Sequence, residues 1–252
     1  MRCYWWLRAP AGSLRAEPVV PDGCVEWIFH LADPFVEAQK GQRQPIALCV
    51  SSIERAVAIE PTGRVDLVAV RFQPGRAYPF FPLPLGEVSG ANVDLEDMHI
   101  DARRWTEQLA LADDAERIGL LDRWLTDRLV RAATDQRFDA LAAMIERRSG
   151  DVAIDSVARL AGASNRQIER QFLGRVGIGP KRFARVLRFH RVVRGIHADP
   201  EGWLNGAMDG GFFDQSHLIR EFRAFAGLTP GEYARARKAL NAVFAGSAPG
   251  HL

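Results

Sequence analysis

The chain has 252 residues, of which 47% are hydrophobic and 25% charged, and its net charge is +2. That balance is ordinary for a soluble globular protein, and the length is enough for two domains. No run of about 18 apolar residues occurs, which excludes a transmembrane helix, and the N-terminal MRCYWWLRAPAG lacks an apolar core of signal-peptide length, so a cytoplasmic protein is expected. Cys3, Cys24 and Cys49 are scattered and form no C-x-x-C pair, which argues for a reducing compartment and against a disulfide or zinc framework.

Residues 1–100 read as β-rich. Candidate strands are Cys3–Leu7, Cys24–Leu31, Ile46–Ser51, Ala56–Ile59 and Val65–Phe72, separated by turn formers such as Pro21-Asp22-Gly23 and Pro61-Thr62-Gly63. Close spacing and short turns suggest a small barrel or sandwich. The loop Pro74–Gly86 carries too many prolines for a helix interior or a central strand.

From Asp101 the period becomes helical. Trp105, Leu109 and Ala112 share one face, and Ile118, Leu121, Leu125 and Leu129 share another; the second stripe is either core or a surface for a second copy. A third helix is expected over Phe138–Arg148. The predicted units are residues 1–100, connecting helices 101–133, a C-terminal domain 134–238 and a tail 239–252.

The C-terminal domain contains one pattern twice, offset by fifty residues. Ser164 aligns with Asp214, Ile168 with Leu218, Arg170 with Arg220, Phe172 with Phe222, Gly177 with Gly227, and Pro180 with Pro230. Each copy reads as a short helix, a glycine-containing turn and a second helix capped by Ser164 or Asp214, the helix-turn-helix layout. Ile168 with Phe172 and Leu218 with Phe222 face inward at i, i+4 spacing. The opposite faces carry Arg166, Glu169 and Arg170 in copy one, and Gln215, Ser216, His217 and Arg220 in copy two, the side chains that read base edges. Arg170 and Arg220 could instead pair with Glu169 or Glu221. The charge is lopsided: residues 151–252 hold 15 basic and 9 acidic side chains, residues 1–150 hold 18 and 22. Within Arg159–Arg194 ten basic residues accompany Glu169 alone, which suits a polyanion. A long helix from Pro180 joins the copies. His190 and His197 have no acid or Cys between them and read as ordinary histidines.

These residues resemble the AraC/XylS family of bacterial transcription regulators, above all through GGFFDQSHLIREFRAFAGLTPGEYAR (Gly210–Arg235), with SNRQIERQF and GIGP in copy one. The resemblance implies an α+β chain: an N-terminal β-rich, cupin-like barrel with connecting helices, then an all-α domain of two helix-turn-helix units joined by a long helix. It further implies double-stranded DNA as partner, with the second helix of each unit in successive major-groove segments about 34 Å apart, and RNA polymerase as a second partner. Base-reading candidates are Arg166, Glu169, Arg170, Gln215, Ser216, His217 and Arg220; phosphate candidates are Ser164, Asn165, Lys181 and Arg182. Gly206, Gly210 and Gly179 depart from the family pattern, the first two weakening the support of copy two. The N-terminal segments Pro21–Phe35, Arg71–Glu87 and Val93–Met98 look like a β-rich domain of unassigned function found in some members.

In better-known relatives that position binds a small effector and often dimerises. Tyr4, Trp5, Trp6, Trp27, Phe29 and Arg71 are candidates for an effector pocket, or are plain core. His30 and His99 do not make a metal site, so no metal and no cofactor are expected. Three readings follow: a regulator modulated at its N-terminal domain by a small effector or partner, a regulator whose N-terminal half only forms a homodimer, and a DNA-directed enzyme, for which no catalytic constellation is legible. Copy one is expected to supply most of the electrostatic affinity and copy two the discrimination.

Overall fold

The structure, a computed structural model, describes all residues except 1, 52, 89–91, 200, 204–210 and 237–252. The five expected strands form, together with four of two or three residues, too short for alternation to reveal them. In chain order they are β1 Cys3–Ala9, β2 Glu17–Val19, β3 Glu26–His30, β4 Val36–Glu37, β5 Gln42–Arg43, β6 Ala47–Val50, β7 Val57–Glu60, β8 Val65–Arg71 and β9 Asn92–Asp94. They build two antiparallel sheets, β1-β8-β3-β6-β9 and β2-β7-β4-β5. No strand pairing closes the two sheets into one ring among the described residues, so the expected barrel is open.

The five-stranded sheet is covered on both faces, which is why β6 and β8 read as nearly unbroken apolar runs. Trp27, Phe29, Val68, Val70 and Phe72 face the helix pair α1 (Ala102–Leu111) and α2 (Asp114–Arg131) and the proline-rich loop. Trp27 lies edge-on to Phe72 at 5.3 Å, and Trp124 of α2 stacks on Trp105 of α1 at 4.4 Å. The other face turns Trp5, Leu7, Ile28 and Leu67 toward Phe35 and Ile59 of the small sheet side. The stripe on α2 buries Leu121 and Leu125 and leaves Leu129 44% exposed.

Among the described residues the helices that follow are α3 Gln136–Arg147, α4 Ile154–Ala161, α5 Asn165–Val176, α6 Pro180–Ala198 and α7 Gln215–Ala226. α6 carries the core of both units. Phe183, in its first turn, meets Phe172 of α5 at 5.7 Å; Phe189, almost two turns on, meets Phe222 and Phe225 of α7 at 4.9 and 5.1 Å. Of the residues expected in the supporting helix of copy two, Trp203 packs against this core, while Gly206, Ala207 and Gly210 lie outside the described residues.

The helical domain seats directly on the β domain. The Asp135 amide at the start of α3 donates to the Tyr78 hydroxyl at 2.7 Å, and Arg175 of α5 pairs with Asp135 at 2.7 Å over the rings of Tyr78 and Phe138. Gly23 sits so close to Phe183 and Leu187 that a Cβ there would stand 3.3 and 3.4 Å from them.

Candidate nucleic-acid interface and N-terminal cavity

α5 starts at Ser164 with a reciprocal capping box. The Gln167 amide donates to the Ser164 hydroxyl at 3.3 Å, and the Ser164 amide donates to the Gln167 side-chain oxygen at 2.8 Å, so two orphan donors are satisfied. α7 starts at Asp214, whose carboxylate accepts the His217 amide at 2.7 Å. The residue at the box position is His217, and its ring Nδ1 accepts from the Phe213 amide at 3.3 Å. Both helices stop at left-handed glycines, Gly177 (φ 87°) and Gly227 (φ 75°), where an L side chain would be strained.

Each helix buries one stripe: Ile168, Phe172 and Val176 on α5; Leu218, Phe222 and Phe225 on α7. The opposite faces are open. Arg166, Glu169 and Arg170 are exposed on α5, Gln215, Ser216 and Arg220 on α7, and His217 is half-buried against Phe212. Among the described residues no carboxylate stands within ion-pair distance of Arg166, Arg170 or Arg220. Glu221, the alternative partner of Arg220, is instead held by Arg185 of α6 through contacts of 2.7 and 2.9 Å. Burial by itself would raise the Glu221 carboxyl, but the hydrogen bonds and charge of Arg185, with His217 and Arg188 nearby, outweigh it and hold the group below its usual range.

Two sequence expectations change in the fold. Glu169 does not stand clear of its neighbours: a Cβ on Gly179 would run into its carboxylate, which lies over the start of α6. The missing cap side chain at Gly179 is therefore room taken by Glu169, and a carboxylate beside a helix N-terminus is favourable there. The basic run is also less free than it reads. Arg175 is held by Asp135, Arg182 by Glu54 at 3.1 Å, Arg185 by Glu221, and Arg188 donates to the Gly211 carbonyl at 3.4 Å. Of the phosphate candidates, Ser164 is occupied as a cap, Asn165 donates to Asp155 at 2.7 Å, Arg182 lies over Phe225 at 4.5 Å, and Lys181 is exposed. Sequence reasoning missed Arg185, whose role as the tie between α6 and α7 shows only when the two copies are folded together.

In the β domain a cavity of about 270 Å³ opens between the sheets. Of the six pocket candidates, Trp5 and Arg71 line it. Tyr4, Trp6, Trp27 and Phe29 stand on the opposite face: Trp27 and Phe29 are fully buried beneath α2, and the Tyr4 hydroxyl donates to Asp122 at 3.0 Å. Successive strand residues alternate faces, so Trp5 and its neighbours Tyr4 and Trp6 could not share a pocket. Cavity residues not proposed for a pocket from sequence include Leu67 on β8, beside Trp5, Ile28 and His30 on β3, and Asp22, Glu26 and Gln44. No group of three or more metal-ligating side chains occurs among the described residues, and no described helix is long and apolar enough to cross a membrane.

Residues 1–94 match a family model described as a domain of unknown function (DUF6597), and residues 157–236 match one described as a helix-turn-helix domain. The HTH-type transcriptional regulator MtrA of Neisseria gonorrhoeae is 25% identical over 122 residues, 48% of this chain; the chain spans 38% of that relative's length. Among solved structures, ToxT of Vibrio cholerae bound to (E)-4-(8-methylnaphthalen-1-yl)but-3-enoic acid covers 92% of this chain and 98% of its own, at 7% identity and a TM-score of 0.50, a likeness of fold. A second ToxT structure from that organism gives 8% identity and a TM-score of 0.49 over 92% and 97%.

Proposed function

We propose that this chain, whose C-terminal domain belongs to the AraC-type helix-turn-helix family, is a sequence-specific DNA-binding transcription regulator. The observation that carries the proposal is the pair of capped helices held by one long helix, each presenting a polar face with an arginine that has no ion-pair partner among the described residues. α5 and α7 would enter successive major-groove segments, about 34 Å apart on one side of the duplex. Arg166, Arg170 and Arg220 suit guanine, Gln215 suits adenine, and Ser216 and His217 add single donors. Lys181 would take a phosphate, and Arg182 would do so once released from Glu54. RNA polymerase is the partner such a regulator acts on, and the reading is of a binding protein, not an enzyme.

Selection of bound duplexes from random sequence tests this. Two enriched elements separated by about one helical turn are expected. A single element, or none, would sink the two-reader reading.

The N-terminal domain would modulate binding through a small effector. Its cavity shares walls with the domain contact. Asp22 lines the cavity beside Gly23, which packs on α6. Val50, Ser51, Ile53 and Val57 line it from the segment whose Glu54 pairs with Arg182 and whose Ala56 amide donates to the Phe225 carbonyl at 2.7 Å. A protein of similar fold was solved with a small organic acid bound. The second reading, a domain that only oligomerises, draws support from Leu111 (91% exposed) and Val130 (81% exposed) on the connecting helices. Thermal-shift screening of the full chain against metabolite pools separates the two: a ligand that raises the midpoint favours the first, and a ligand-free dimer with no hit favours the second.

A further inference from the structure

The charge and shape of the cavity specify more about its ligand than size does. Its long walls are apolar, with Trp5, Ile28 and Leu67 of the large sheet facing Phe35, Val57 and Ile59. Its two ends are polar and lie four residues apart on β3, at Glu26 and His30, about 13 Å along an extended strand. At the first end the Arg71 guanidinium touches both Asp22 and Glu26, so two carboxylates face one cation. At the second end His30 Nε2 lies 3.1 Å from the Gln44 side-chain oxygen, and burial lowers its pKa to about 4, so the ring is neutral. Of the nearby cations, Arg43 pairs with Asp33 at 3.7 Å, and Arg2 pairs with Glu146 at 3.8 Å while also reaching the Sγ of Cys24, a cavity residue, at 3.9 Å. Burial pushes the Glu26 carboxyl up to about 7, against a hydrogen bond from Trp5 that lowers it.

Resting on the effector reading above, we infer that this cavity takes a small, mostly apolar amine, with its ammonium group against Asp22 and Glu26 and its apolar body along Trp5, Ile28 and Leu67. An ammonium adds a second cation to the two carboxyls that share Arg71 and leaves Arg71 in place. A carboxylate of the same shape meets the Asp22 and Glu26 carboxyls, both already on Arg71, at one end and a neutral imidazole at the other. To gain Arg71 as its cation it must compete with both Asp22 and Glu26, and Asp22 would keep only the Cys24 amide. The volume sits just below the usual range of ligand pockets, so the ligand is small. Its site adjoins Gly23 and the segment that carries Glu54, two of the places where the β domain meets α6.

Calorimetric titration of the full chain with octylamine, octanol and octanoate tests the inference, because the three share a chain and differ in headgroup charge. Octylamine is expected to bind at least about tenfold more tightly than octanoate, with octanol between. Glu26→Gln and Asp22→Asn should each erase most of that preference while leaving octanol unchanged, in variants whose thermal midpoint shows them folded. Equal or tighter binding of octanoate overturns the inference, as does the failure of all three to bind. Should both variants unfold, the wild-type series alone decides. The regulator reading is tested apart, by wild-type binding to its selected duplex without any amine. Octylamine that binds as expected but leaves duplex affinity unchanged supports the inference on ligand class and overturns the effector reading.

Discussion

α5 and α7 bury matching stripes, Ile168 and Phe172 against Leu218 and Phe222, yet they are secured by different means. α5 packs on the β domain as well as on α6. Its cap is reciprocal, its Arg175 is clamped by Asp135 over Tyr78 and Phe138, and the turn at Gly86 packs on the Leu173 carbonyl. α7 has a single carboxylate cap and packs on Phe189 of α6; beyond that it is tied by polar contacts at its flank and end, Glu221 to Arg185 and the Phe225 carbonyl to the Ala56 amide. A helix held by packing tolerates the loss of one polar contact better than a helix held by a few such contacts. We therefore expect the first unit to be the more firmly held and the second to be the one through which the β domain would act.

Breaking the shared core should affect both units most. Phe172→Ala and Phe222→Ala remove fully buried rings and should each cost about 3–5 kcal/mol. Denaturant unfolding should show a global loss for Phe172→Ala. For Phe222→Ala, amide exchange should rise first in α7. The same exchange pattern in both variants would remove the distinction between a fixed and a loosely tied unit.

Next in size come the readers. Arg170→Ala and Arg220→Ala should each weaken specific binding by about 1–3 kcal/mol and relax preference at different elements of the selected site. Competition binding against single-base variants of the site measures this, and unchanged binding by both would show that neither arginine reads a base.

The caps separate the units at lower cost. Ser164→Ala and Asp214→Ala should each lose about 1 kcal/mol of helix stability. Duplex affinity should fall more for Asp214→Ala than for Ser164→Ala, because α7 has fewer other restraints. An equal fall would argue that packing on Phe189 alone positions α7.

The smallest effect is in salt dependence. Replacing Arg166 and Arg170 together should reduce the slope of log affinity on log salt by up to about 0.9 for each phosphate that is no longer neutralised. Replacing Gln215 and His217 should leave it nearly unchanged. Since Arg175, Arg182, Arg185 and Arg188 have internal partners, the wild-type slope should be lower than the ten basic residues from Arg159 to Arg194 suggest. A steep slope that survives the Arg166 and Arg170 substitutions would place the phosphate-binding groups elsewhere.

The sequence by itself determined what depends on short-range order. The repeat, the caps at Ser164 and Asp214, the inward Ile168, Phe172, Leu218 and Phe222, and the outward Arg166, Arg170 and Arg220 all follow from helical period and local hydrogen bonding. The five longer strands were legible for the same reason. Only the tertiary structure decided which strand face lines the cavity. Both faces of the large sheet are covered and apolar, so Trp5 and Trp27 look alike in sequence while one lines the cavity and the other lies under α2. It also decided which charges are free. Glu169 over Gly179, Arg182 on Glu54 and Arg185 on Glu221 are meetings of groups 10, 128 and 36 residues apart, and no local pattern encodes a partner that folding alone brings near.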